Sequence, residues 1–232
     1  MPTSTVENYL KAILVRSTDA DPVVATGSLA EALGVTPGTI TTMVKSMAAH
    51  GLLEHQPREG VRLTQEGRAH ALAVVRKHRL VETFLVQVLK MDWKEVHEEA
   101  EALEHAISER VLVRIDALLG HPDSDPHGDP IPSVKSPMLN RSGGASLANC
   151  ELQKPWRVDR ILDQSPSFLG FIQKTGLMPG SIVKVKERDA ASGVVRCEVR
   201  GGETMLGTPE ASKIEVADVA SRPRPPAVSP RR

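Results

Sequence analysis

Ser28-Leu29-Ala30-Glu31-Ala32-Leu33-Gly34-Val35-Thr36-Pro37-Gly38-Thr39 reads as two helices joined by a tight turn. Ser28 to Leu33 has the pattern of a short helix. Gly34 closes it, because a residue without Cβ tolerates the left-handed position after a helix end. Thr36 then stands as N-cap with Pro37 in the first helical position, where its missing N–H has no partner to lose. The spacing predicts a helix from Pro37 to about His50, stopped by Gly51, that buries Ile40, Val44 and Met47. Its exposed face carries Thr39, Thr42 and Lys45. A short helix, a tight turn and a helix that starts with small hydroxyl residues form a helix-turn-helix.

On the N-terminal side, Val6, Tyr9, Leu10, Ile13 and Leu14 recur at helical spacing between Thr5 and about Ser17. On the other side, Leu52–His55 and Val61–Thr64 alternate around Gln56-Pro57-Arg58-Glu59-Gly60, a hairpin that serves as a wing. Residues 1–64 are therefore expected to form a winged helix-turn-helix that binds a double-stranded DNA operator. Domains with three helices and a hairpin need not bind DNA, and one feature weighs against it. The stretch holds Lys11, Arg16, Lys45, Arg58 and Arg62 against Glu7, Asp19, Asp21, Glu31, Glu54 and Glu59, so attraction to phosphate must be local. The expected DNA contacts are Thr36, Thr39, Thr42, Lys45 and Arg58, with Arg68, Arg76 and Lys77 as further phosphate ligands. Threonine methyls can pack on thymine methyls while the cations fix register.

The middle third adds a different chemistry. A long helix is predicted over Thr64 to about Lys90, with His78 and Glu82 one turn apart. Asp92-Trp93-Lys94-Glu95 reads as a capping box for a helix from Trp93 to about Ile107. Residues advance by about 100° in a helix, so His97, Glu101, Glu104 and His105 share one stripe. Either this is a solvated acidic helix with two incidental histidines, or the carboxylates are held together by a cation. The matched His/Glu spacing on two helices favours the cation. Segment 91–110 carries Asp92, Glu95, Glu98, Glu99, Glu101, Glu104 and Glu109 against Lys94 and Arg110, which also favours a bound dication. Ser108 caps a further helix whose Val111, Leu112, Ile115, Leu118 and Leu119 form an apolar face. That face either closes the core or pairs with a second subunit.

Composition sets the outer limits. The chain has 232 residues, is 40% hydrophobic and carries no net charge, so it can build a core and global charge decides nothing about its partners. Aromatics make up only 3%, so the core must be aliphatic. Two cysteines make no disulfide framework, and with no signal peptide a cytoplasmic location is expected. No apolar run reaches the length of a membrane span. Residues 133–154, rich in Pro, Gly and Ser, read as a linker. Beyond it, Trp156–Leu162, Ile182–Glu187, Val194–Val199 and Lys213–Val216 read as strands, with a short helix from Pro166, which suggests a small barrel. Residues 220–232, basic and proline-rich, read as a disordered tail.

The order of these parts resembles the diphtheria toxin repressor family of metal-dependent transcriptional regulators. The likeness rests on the winged helix-turn-helix followed by Lys77-His78-Arg79-Leu80-Val81-Glu82. It continues through Val96-His97-Glu98-Glu99-Ala100-Glu101-Ala102-Leu103-Glu104-His105 and Asp125-Pro126-His127-Gly128-Asp129-Pro130-Ile131-Pro132. The resemblance implies a mainly α protein: a winged helix-turn-helix domain (1–64), a helical metal-binding and dimerisation domain (65–132), the linker (133–154) and an SH3-like β-barrel (155–219). It implies a primary metal site of Asn8, Glu101, Glu104 and His105, and an ancillary site of His78, Glu82 and His97. Glutamate at position 101 marks the manganese-type members, so Mn²⁺ is expected ahead of Fe²⁺. Asn8 departs from the usual Asp or Met, and Lys11 stands where some members place a second-metal glutamate. His55, His70, His121 and His127 have no partner pattern. The implied activity is that of a homodimeric metal-dependent repressor controlling metal homeostasis genes, with no small-molecule substrate. The alternatives are a winged-helix regulator not controlled by metal and a di-metal carboxylate enzyme, for which no catalytic triad, phosphate loop or nucleotide fingerprint is present.

Overall fold

The computed structural model of the protein describes residues 3–18, 20–133 and 144–219. It divides into two compact units. The first takes in the chain up to His78 together with Glu104–Ile107. The second takes in Arg79–Leu103, Ser108–Ile131 and the C-terminal domain.

The first unit is built from α1 (Ser4–Arg16), α2 (Thr26–Leu33), α3 (Pro37–Ala49), β1 (Leu53–Gln56), β2 (Gly60–Leu63) and the start of α4 (Gln65–Gln87). Hydroxyl caps start three of these helices. Thr3 accepts the Val6 N–H, Thr36 accepts that of Thr39, and Thr64 accepts that of Gly67. Gly34 ends α2 at φ +62, as its missing Cβ permits. Leu10, Ile13, Leu14, Leu29, Ile40, Val44, Met47 and Val61 are buried, which is the aliphatic core expected of a helix-turn-helix. The wing pairs β1 with β2 from Leu53↔Leu63 to Gln56↔Gly60, which leaves Pro57–Glu59 as its tip. Val24 adds an antiparallel bridge to Val61. Gly60 is required there, since a Cβ at that position would lie 2.2 Å from the Val24 carbonyl oxygen.

In the second unit α4 continues to Gln87, and α5 (Val96–Leu103) and α6 (Glu109–Leu118) follow. Here the structure corrects the expected helix from Trp93 to Ile107. Residues 93–95 and 104–106 are turns, so Glu104 and His105 lie beyond the end of α5 and not on its stripe. The reason is local at both ends. Asp92 holds the first turn by accepting the Lys94 N–H. Ser108 takes an extended backbone to cap α6, so the chain must leave the helix before it.

The C-terminal part is an antiparallel sheet ordered β3-β8-β4-β5-β6-β7. Its strands are β3 (Ala145–Ser146), β4 (Pro155–Ile161), β5 (Ile182–Asp189), β6 (Val194–Val199), β7 (Gly202–Gly207) and β8 (Ile214–Asp218), with α7 (Pro166–Thr175) and α8 (Thr208–Ser212) between them. The outer strands β3 and β7 are not paired with each other among the described residues, so the sheet is open by hydrogen bonding. Its core combines Val158, Ile161, Val183, Val185, Val195 and Ile214 with Leu169 and Ile172 of α7. Leu147, Ala148 and Cys150 join that core, so the C-terminal end of the expected linker is folded. The expected loop over 134–143 and the tail over 220–232 lie outside the described residues. β7 had no alternating signal; it exists because Arg200 and Gly201, both at positive φ, form the tight hairpin turn that pairs it with β6. Both cysteines are free and buried. Among the described residues no helix is long and apolar enough to cross a membrane.

Candidate metal centres and DNA-reading helix

α1 sets Glu7, Asn8 and Lys11 on one face, three and four residues apart. Across from them, in the first unit, come His78 near the middle of α4 and the Glu104–His105 turn. Asn8 Oδ1 lies 2.7 Å from His105 Nε2. Glu104 Oε1 is 3.4 Å from the same nitrogen. On the other edge of the ring, His105 Nδ1 is 2.6 Å from Glu7 Oε2. A carboxylate can only accept there, so Nδ1 carries a proton and Nε2 faces an amide oxygen and a carboxylate oxygen. Nε2, the amide oxygen and the carboxylate oxygen are all donors a metal ion could share, and an orienting carboxylate behind the imidazole is what metal-binding histidines use.

Glu104 is the electrostatic centre of this group. It is fully buried, with Lys11 Nζ 2.8 Å from Oε2 and His78 Nδ1 2.6 Å from the same oxygen. Burial pushes its pKa up, but the His78 hydrogen bond and the Lys11 charge outweigh it, so Glu104 titrates below the ordinary 4.5 and is ionised at neutral pH.

A second cluster lies in the second unit. Glu82, Asp125 and His127, all buried, bring one donor atom each within 4.8 Å of one another. His127 Nε2 is 3.0 Å from the Trp93 carbonyl oxygen, which fixes the proton on that nitrogen. Nδ1 is buried without a hydrogen-bond partner and lies 3.7 Å from Glu82 Oε2. Glu82 Oε1 also lies 3.2 Å from His97 Nδ1, and His97 Nε2 is 3.8 Å from Glu101. Burial raises the Asp125 pKa to about 7, with the Asp129 and Glu82 carboxylates adding to it. Burial lowers that of His127, but the Glu82 carboxylate and Asp125 outweigh it and push it up to about 9. A buried imidazolium beside two buried carboxylates marks a place that needs positive charge, which a dication would supply once Nδ1 gave up its proton.

Of the residues singled out in the sequence, Asn8, Glu104 and His105 converge, while Glu82 joins His97. Glu101, half-buried, pairs with the more exposed His97. Glu7, Asp125 and His127 escaped sequence reasoning. Asp125-Pro126-His127 was visible as a motif, but nothing in it announced that Asp125 and His127 would meet Glu82 from a helix some forty positions earlier. On α3, Thr36, Thr39, Thr42 and Lys45 are all exposed, as is Arg58 at the wing tip. The hydroxyls are already committed: Thr36 caps the helix and Thr42 donates to the Gly38 carbonyl.

Comparison with known proteins accounts for the domains. Residues 1–61 match the model of the iron dependent repressor N-terminal DNA binding domain, residues 64–133 that of the iron dependent repressor metal binding and dimerisation domain, and residues 145–218 the FeoA domain. The iron-dependent repressor IdeR of Mycobacterium leprae is 39% identical over 149 residues, 64% of this chain and 63% of that protein. The diphtheria toxin repressor of Corynebacterium jeikeium is 34% identical over 157 residues, 68% of this chain and 63% of its own length. The match therefore spans less than two thirds of either curated relative. A solved manganese-dependent transcriptional repressor in complex with manganese superposes with a TM-score of 0.81 at 38% identity, covering 92% of this chain and all of that one. Fold and domains thus define a class of DNA-binding transcriptional regulators rather than enzymes. The chain belongs to the diphtheria toxin repressor family of metal-dependent transcriptional regulators.

Proposed function

We propose that this chain is a homodimeric, cytoplasmic repressor that binds a palindromic DNA operator when loaded with Mn²⁺, with Fe²⁺ as the second choice. The observation that carries this reading is the convergence of Asn8 Oδ1, Glu104 Oε1 and His105 Nε2 on one point, between α1 and the turn at 104–106. Asn8, Glu104 and His105 would hold the metal of the primary centre, with Glu101 as a further ligand. Glu82, His97, Asp125 and His127 would hold a second. These donors are oxygen and imidazole nitrogen with no thiolate, a set that suits Mn²⁺. Bound at the primary centre, a dication would tie Asn8 of α1 to Glu104 and His105 of the turn.

The chain's own residues do the rest. α1 packs on α2, which packs on α3, so fixing α1 restricts where the recognition helix can stand. α3 would enter the major groove with the methyl groups of Thr36, Thr39 and Thr42 against base edges, while Lys45 and Arg58 take phosphates. Val111 and Leu118, exposed on α6, are offered as the surface that joins two subunits. The expected limits of 1–64, 65–132 and 155–219 for the three domains, and closure of the last into an SH3-like barrel, belong to this same reading.

The test is operator binding measured while Mn²⁺, or Fe²⁺ without oxygen, is titrated into chelator-treated protein. Affinity should rise with metal, and Mn²⁺ should act at the lower concentration. Operator binding that is equal in chelator would end the proposal.

A further inference from the structure

Lys11 occupies the place in the primary centre where positive charge is already required. Its ammonium lies 2.8 Å and 3.1 Å from the two Glu104 oxygens and 3.0 Å from His78 Nδ1. The lysine side chain is 14% exposed and the glutamate side chain 0%. It stands on α1 one turn beyond Glu7 and Asn8, so one helix offers both the amide oxygen for a metal and the ammonium.

We propose that Lys11 is a tethered cation that neutralises Glu104 in the metal-free chain and competes with the incoming dication, thereby setting the metal concentration at which the Asn8–Glu104–His105 centre fills. This rests on the metal-sensing reading above. The argument begins with burial. A carboxylate with no exposed surface and no counter-charge is strongly disfavoured, so without Lys11 the empty centre would be unstable and would draw metal harder. With Lys11 both carboxylate oxygens already face an ammonium, and a metal must displace part of that contact to coordinate. His78 Nδ1 donates to Glu104 Oε2 as well, so the imidazole and the ammonium hold the same carboxylate. An ammonium and a dication within about 3 Å of one carboxylate repel each other strongly in a partly buried site, so the metal enters as Lys11 withdraws. One cation replaces another, and no covalent bond changes.

The experiment uses the full chain, titrated with Mn²⁺ by calorimetry and by electron paramagnetic resonance. Ions assigned to this centre are those that His105→Ala removes. Lys11→Met should tighten Mn²⁺ binding there about tenfold or more, since a neighbouring cation moves a carboxylate's affinity for protons by one to three orders of magnitude and the metal uses the same lone pairs. The same variant should lower the melting temperature of the metal-free protein and widen the gap to the loaded one. Lys11→Gln, which can still hydrogen-bond to Glu104, should show the same tightening with a smaller loss of stability. In the unaltered chain, reductive methylation read by mass spectrometry should spare Lys11 without metal and modify it once Mn²⁺ is added. That measurement needs no variant to fold. Unchanged or weaker binding in both variants, or equal protection of Lys11 with and without Mn²⁺, would overturn the proposal. If the unaltered chain binds no Mn²⁺ that His105→Ala removes, the metal-sensing reading itself fails and Lys11 is a plain ion pair.

Discussion

His127 donates its Nε2–H to the Trp93 carbonyl at 3.0 Å, and the two rings stack with centroids 5.4 Å apart. One contact thus orients the ring with Nδ1 toward Glu82 and also sets an indole beside the second cluster. A paramagnetic ion there should quench Trp93. The chain has two tryptophans, so Trp156→Phe isolates the signal. Addition of Mn²⁺ should then lower the emission in a saturable way, and Glu82→Gln should remove the saturable part. Emission that ignores Mn²⁺ in the Trp156→Phe protein would argue against a second centre.

Glu104 and His105 should be indispensable to the response. Substitutions that only disturb groups behind metal ligands typically cost 10–100-fold in affinity, and losing a ligand should cost about a hundredfold or more. Glu104→Gln and His105→Ala are therefore expected to abolish Mn²⁺-dependent operator binding in a gel-shift titration. His105→Ala should keep its helical circular dichroism, because it leaves the buried aliphatic core untouched. A metal response that survives in both variants would place the sensing site elsewhere.

Lys45 and Arg58 face solvent from the recognition helix and the wing tip. Phosphate contacts add affinity without sequence preference, and each contributes about one unit to the salt slope of binding. Lys45→Ala and Arg58→Ala should each weaken operator and random DNA alike, and each should flatten a plot of log affinity against log salt by about one. Thr42→Ala should leave that slope alone, because its hydroxyl already bonds to the Gly38 carbonyl and it carries no charge. A slope unchanged in the two charge variants would mean that neither residue touches phosphate.

Val111 and Leu118 are exposed on α6 at 48% and 66%, one above the other on the same face, while Leu112 and Ile115 point into the core. A charge on that face should block self-association while leaving the fold stable. Leu118→Glu is expected to shift the protein from dimer to monomer in sedimentation velocity and to weaken operator binding, since two half-sites then bind independently. Its melting temperature should move little at low protein concentration. A dimer that persists in Leu118→Glu and in Val111→Glu would place the subunit contact on another surface.

The sequence by itself determined the elements whose causes are local. Thr36, Pro37 and Gly34 mark the turn and the recognition helix because capping and backbone freedom act within a few residues. The spacing of Ile40, Val44 and Met47 marked the buried face of that helix for the same reason. Local rules also stated which chemistry was at hand, through Glu104, His105, Glu82 and His97. They could not give the end of α5, where a fully buried glutamate and the cap of the next helix interrupt the stripe. β7 was hidden as well, since a strand of Gly202-Glu203-Thr204-Met205-Leu206-Gly207 has no alternation and exists only because β6 offers it a partner. The centres themselves were decided by tertiary structure. His105 meets Asn8 across 97 positions of chain and Glu104 meets Lys11 across 93. Charge pairing at 3 Å depends on which helices the hydrophobic core brings side by side, and no periodicity along one segment carries that information.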